Sequence, residues 1–131
     1  LLTNSAVDEE SMLMTINDIR ELLGAEVLCG SERLDMEVHS ACGSDMMSDV
    51  LAYVKNQAVL LTGLVNAQVI RTAEMMDMIC IVFVRSKRPS QDMLELARES
   101  GIAVLTTPLR MYEACGKLYM SGLKGNGETN D

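Results

Sequence analysis

Seven consecutive apolar residues, Met78 to Val84 in "MICIVFV", stand between Asp77 and Arg85. The run has the length of a strand, and its continuous apolarity is that of a parallel strand covered on both faces. Such a strand needs parallel neighbours and crossover helices, so the question becomes whether the remaining sequence supplies them.

It does, in a recurring order of strand, short polar or glycine loop, and helix. Thr15 caps a helix over 16–23, with Asp18 three residues on as a capping-box partner and Gly24 as terminator. "AEVLCG" reads as a short strand, "SERLD" as a turn, and "MEVHSACG" as a second strand ending at Gly43. In "SDMMSDVLAYV" the residues Met46, Met47, Val50, Leu51 and Val54 share a helical face, with Ser44 as cap and Asp45 and Asp49 on the solvent side. "QAVLLTG" is a strand and its turn. "NAQVIRTAEMMD" carries a stripe of Val69, Ile70, Ala73 and Met76. After the apolar run, "SQDMLELARES" is a helix capped by Ser90, and "IAVLT" is a strand. "TPLRMYEACGKLYMSG" opens with a threonine cap and proline at the first helical position. Strands alternating with helices predict a three-layer α/β/α domain around a central, mostly parallel sheet. The expected domain covers residues 12–122, with flexible termini at 1–11 and 123–131.

Composition narrows the function classes. The 131 residues are 48% apolar and 23% charged, and nothing approaches the roughly 20 continuous apolar residues of a membrane span. The start, "LLTNSAVDEESMLM", lacks the pattern of a secretory leader, so a cytoplasmic setting is expected. Four widely spaced cysteines and a single histidine predict buried, reduced thiols and no metal site. The net charge of −8 falls almost wholly on residues 1–50, which argues against nucleic acid as a partner, as does the lack of an aromatic platform.

In an open parallel sheet, ligands bind beyond the carboxyl ends of the strands. The loops there contain Gly43-Ser44, Thr62-Gly63, Arg85-Ser86-Lys87 and Thr106-Thr107, and Arg110 stands in the expected first turn of the last helix. Backbone N–H groups at Ser44, Thr62, Gly63, Ser86 and Thr107, with countercharge from Arg85, Lys87 and Arg110, form a candidate anion site. No phosphate-binding loop GxxxxGK[ST], dinucleotide GxGxxG or nucleophile elbow GxSxG occurs. His39 reads as a structural residue on a strand, and Asp45 and Asp49 as solubilising side chains. Cys42, at a strand end ahead of a helix, is the most reactive thiol by placement. No cofactor is implied.

The segments "TINDIRELLGAEVLCGSERLDMEVHSACGSDMMSDVLAYV" and "RPSQDMLELARESGIAVLTTPLRMYEACGKLY" resemble the DRTGG domain family, regulatory-type modules similar to the N-terminal domain of HPr kinase/phosphorylase. The resemblance runs from about Thr15 to Tyr119. It implies an α/β fold, self-association and no activity of the domain's own, the kinase chemistry of that enzyme lying in a separate domain with a phosphate-binding loop. Family members commonly carry a threonine and glycines where this chain has Arg85-Ser86-Lys87, so a ligand contact there either is blocked or passes from backbone to charged side chains. The expected function is a non-catalytic regulatory or interaction domain forming a homodimer, its surface drawn from Met75, Met76 and Met78 or from the Met111/Tyr112 region. The alternative is a sensor for a nucleotide or other phosphorylated small molecule.

Overall fold

The structure, a computed structural model, describes residues 13–53 and 57–125. A five-stranded sheet forms its centre, assembled from β2 (Glu26–Cys29), β4 (Ser40–Gly43), β5 (Ala58–Thr62), β6 (Cys80–Phe83) and β7 (Ala103–Thr106). The spatial order is β2-β7-β6-β5-β4; all neighbours are parallel except β2, which runs antiparallel to β7 at one edge. The apolar run supplies β6, the middle strand, and each of its residues is buried.

Alternate strand residues divide the core into two layers, as the period of two requires. Val59, Leu61, Val82 and Leu105 face helices α1 (Ile16–Leu23) and α5 (Met111–Met120), while Leu60, Ile81, Phe83 and Val104 face α2 (Met47–Tyr53), α3 (Ala67–Met75) and α4 (Gln91–Glu99). The three-layer α/β/α reading therefore holds.

Local chemistry sets the helix ends. Thr15 and Asp18 form the expected capping box at 3.0 and 3.1 Å, and Gly24 closes α1 at φ +57°. Asn66 and Ser90 accept hydrogen bonds from the N–H groups of Val69 and Met93, capping α3 and α4. Two expected starts are displaced. Helix α2 begins at Met47, because the Ser44 hydroxyl takes the N–H of Met46 in a tight turn and does not cap the helix. Helix α5 begins at Met111, because Thr107 is drawn inward and Arg110, with no side-chain acceptor, becomes the N-cap.

The strand expected over 36–43 is two strands. β3 (Glu37–Val38) pairs antiparallel with β1 (Met14–Thr15), an element without a signal in the sequence, and β4 joins the main sheet after His39. The N–H of His39 donates to Gln57, carrying the chain from one sheet to the other. On α2, Met47 and Val50 are buried whereas Met46 and Leu51 are exposed, so the apolar face is narrower than its spacing suggests. The methionine cluster is likewise divided: Met78 is core, Met76 half-buried and Met75 70% exposed. Beyond Gly122, Leu123 is buried and the Lys124 carbonyl accepts from Ala41, so the fold continues past the expected boundary. The expectations for residues 1–11 and for Val54 lie outside the described residues, as do residues 126–131.

Gly30 shows how closely β2 is held against β7. It sits at φ +88°, and a Cβ there would lie 2.6 Å from the Ala103 backbone. Gly24 has a positive φ but open space around it. Gly30→Ala is therefore expected to cost more than about 2 kcal/mol, combining left-handed strain with a backbone clash, and Gly24→Ala about 1 kcal/mol from strain alone. Urea unfolding of the two variants checks the difference.

Candidate functional site at the carboxyl edge of the sheet

Four loops meet at the carboxyl ends of the parallel strands, and the register of the sheet brings them together. Gly43, Leu61 and Val82 are aligned across β4, β5 and β6, and Phe83 is aligned with Thr106 of β7. The loops that follow therefore leave the sheet side by side.

Asp45 organises the first two loops. One oxygen of its carboxylate accepts from the Thr62 hydroxyl at 2.9 Å and from the Gly63 N–H at 2.7 Å. The same Thr62 oxygen accepts from the N–H of Leu64, and the N–H of Ser44 donates to Leu61. Asp45 is exposed, as expected of a solvent-side residue, but it is more than a solubilising group. With the chain's own carboxylate it fills the acceptor position that an external anion would otherwise take.

The Arg85 loop has a different construction. Arg85 and Ser86 both lie in the left-handed region, at φ +57° and +58°. Each such residue costs about 1–2 kcal/mol unless it is glycine, which rationalises glycines at the corresponding place in the resemblance described above. The loop is held by hydrogen bonds: Arg85 N–H to Leu109, Ser86 N–H to Thr107, both at 2.8 Å, and Lys87 N–H to Val84. The Lys87 carbonyl in turn accepts from the Thr106 hydroxyl at 2.6 Å. The Thr107 hydroxyl, fully buried, donates to Leu23 at the end of α1 and accepts from Leu109 N–H.

These bonds bear on how the candidate anion site could work. The N–H groups of Gly63, Arg85, Ser86 and Lys87 already have acceptors, and so does the Thr107 hydroxyl. Among the described residues, no buried side-chain polar atom is left unpaired. What the edge does present is side-chain charge. The Arg85 guanidinium lies over Gly63, 2.7 Å from where a Cβ would stand, so a side chain at 63 would displace it from this position. Arg85, Lys87 and Arg110 are exposed and form no ion pair among the described residues. Arg88, by contrast, is bound in a two-point pair at 2.9 and 3.1 Å to Glu26 of the outer strand β2, which lies level with Thr106 at this same end of the sheet. The Arg88 guanidinium holds the Glu26 carboxyl below its ordinary range. Sequence reasoning missed Asp45 as a site residue; its one signal was its position directly after a strand-ending Gly-Ser.

The nucleophile candidates fare poorly. Burial pushes the Cys42 thiol up, with Cys115 and Asp49 adding to the effect, the reverse of the activation expected at a helix start. Burial raises Cys29, Cys80 and Cys115 as well. All four cysteines are free. His39 lies 3.3 Å from the Glu37 carboxylate and is not joined to Cys42. Among the described residues, no cluster of His, Cys, Asp or Glu is suited to a metal ion.

Comparison with known proteins gives the lineage of this scaffold. The sequence pattern of the DRTGG domain family matches residues 18–120. No curated protein matches the chain. Among solved structures, it is similar to the CBS and DRTGG domains of the regulatory region of Clostridium perfringens pyrophosphatase, in complex with its activator diadenosine tetraphosphate. The TM-score is 0.68 at 20% identity, over 86% of this chain and 48% of that one, so the chain spans about half of that regulatory region.

The strained loop yields a stability test. Ser86→Gly is expected to raise the unfolding free energy by about 0.5–1 kcal/mol, because glycine relieves the left-handed penalty and keeps the N–H bond to Thr107, while Ser86→Ala brings no gain. Chemical denaturation of the three proteins side by side measures it.

Proposed function

The chain belongs to the DRTGG domain family, and from that membership we propose that it is a non-catalytic regulatory domain that works in the cytoplasm as a homodimer. The observation that carries this reading is the outer face of α5. Tyr112 is 90% exposed and Met120 89%, with Tyr119 beside them, on a helix whose inner residues Ala114 and Leu118 are fully buried. A domain of this size has no folding use for so much aromatic and methionine surface turned to water, and such patches mark interaction sites. The non-catalytic part rests on the chemistry of the site, where thiols are raised by burial and the histidine has a carboxylate as its neighbour. Among the described residues, no helix is long and apolar enough to cross a membrane.

Light scattering tests self-association. The expected mass is that of a dimer, retained at about 1 M salt, where surface ion pairs are screened. A monomer at micromolar concentration in both low and high salt overturns the homodimer.

A second reading, a sensor for a nucleotide or other phosphorylated small molecule, is favoured by Arg85, whose guanidinium is held over Gly63 without a partner among the described residues. Because the loop N–H groups are occupied, recognition would pass through the Arg85 and Lys87 side chains, beside the Asp45 carboxylate. A nucleotide and sugar-phosphate panel should then raise the melting temperature, and the double variant Arg85→Gln/Lys87→Gln should abolish the rise. No shift from any member of the panel overturns this reading.

A further inference from the structure

Gly116 occupies the middle of α5 and has no intramolecular reason to be glycine. A Cβ there would meet nothing within 4 Å, and its φ is not positive. Among the other described glycines, Gly24, Gly30, Gly101 and Gly122 have a positive φ and Gly43 and Gly63 an atom within 3 Å of the missing Cβ, while Gly125 lies outside any helix. Glycine inside a helix is unfavourable relative to alanine. What it offers is the close approach of another backbone, and Gly116 lies in the floor of an open apolar trough of about 750 Å³ lined by Met111, Tyr112, Cys115, Tyr119 and Met120.

The tyrosines and the charged residues around Gly116 lie on separate sides, with the exposed Met120 on the charged side. At about 100° per residue, Tyr112 and Tyr119 lie on one side of the line through Gly116, and Glu113 and Lys117 on the other. A two-fold axis through Gly116 that reverses the helix direction sets like side against like side. With a rise of about 1.5 Å per residue, Tyr112 then falls within about 1.5 Å, along the axis, of Tyr119 of the second copy. On the other side, Glu113 falls within about 3 Å of the second copy's Lys117, and each match occurs twice. A parallel pair sets the charged side against the aromatic side and loses both. The patch is self-complementary only in the antiparallel arrangement, as an isologous interface requires.

We propose that a second copy of this chain packs on α5 as an antiparallel helix pair crossing at Gly116, with Tyr112 against Tyr119 and Glu113 against Lys117. The proposal rests on the homodimer reading and specifies its surface and orientation. The two Glu113–Lys117 matches also offset, at the contact itself, the repulsion between two chains of net charge −8. Tyr119 is already oriented by Lys124, whose ammonium lies 3.7 Å from the ring centre.

Cross-linking tests the geometry in the full chain. In a Cys42→Ser/Cys115→Ser background, Gly116→Cys is expected to form a covalent dimer rapidly under mild oxidation, while Glu95→Cys, on the opposite layer, is not. Gly116→Leu should weaken dimerisation at least about tenfold in light scattering, without lowering the unfolding midpoint, since leucine is the better helix former. Glu113→Lys should dissociate the dimer, and Glu113→Lys/Lys117→Glu should restore it, because the swap keeps opposite charges facing only in the antiparallel pair. A dimer that neither cross-links at Gly116→Cys nor responds to Gly116→Leu overturns the proposed surface and leaves self-association standing. A dimer that cross-links but ignores the charge changes overturns the antiparallel register. A monomeric parent protein overturns both the surface and the homodimer reading.

Discussion

Strand β6 has no solvent-facing side, and the architecture follows from that. Its residues are buried in both directions, with hydrogen-bonded strands on either flank and helices above and below. In this sheet both of its neighbours are parallel and reached through crossover helices, which places helices on both faces. Each crossover returns the chain to the same edge, so every parallel strand delivers its loop to one place. The candidate site is thus a geometric consequence of burying the middle strand, before any residue in it is chosen for chemistry.

What the loops then do at that edge is largely to hold one another. In sequence, Thr107 reads as a helix cap and Thr106-Thr107 as part of the loop edge. In the structure, one donates to Lys87 in the neighbouring loop and the other to Leu23 at the end of α1. Buried hydroxyls need partners, and both are directed at carbonyls from other elements. The Arg85 loop accepts left-handed strain at two positions in order to make the bonds to Leu109 and Thr107. A glycine pair would make the same loop without strain, and what it would lose is the guanidinium over Gly63. Only the strain at Arg85 is tied to that charge; the strain at Ser86 is its own, and glycine there would relieve it with the guanidinium kept.

Elements whose signals are local were legible from the sequence. The capping box at Thr15, the cap at Ser90 and the alternating strands depend on residues within a few positions of one another, and they form as expected. The failures share a different cause. β1 and β3 are two residues each, too short for any periodicity, and exist because Met14 and Val38 meet across a long sequence separation. Helix α5 starts three residues later than its Thr-Pro pair implies because Leu23, 84 residues away in sequence, takes the hydroxyl. Asp45 was misread for the same reason, its partners lying 17 and 18 residues along the chain. Long-range hydrogen bonds overrule local capping preferences when they satisfy a buried group.

The two candidate surfaces differ in what the rest of the fold leaves for them. At the carboxyl edge, structural bonds already engage the N–H groups of Gly63, Arg85, Ser86 and Lys87, and what the loops turn outward is the charge of Asp45, Arg85 and Lys87. On α5 the reverse holds: the inner residues Ala114 and Leu118 fix the helix to the sheet, and Gly43 lets Cys115 approach β4 closely. Among the described residues, the outer stripe of Tyr112 and Met120 is turned away from the core, with Tyr119 met by Lys124. These surfaces are also linked through one segment, because Leu109, which accepts from Arg85, lies two residues before α5. An anion drawing on Arg85 would act on the loop that sets where α5 begins, and through it on the orientation of the helix that carries the apolar stripe. If the edge binds an anion and the helix a second copy, as proposed above, the Arg85–Leu109 hydrogen bond and the short segment from Leu109 to α5 would join the two events.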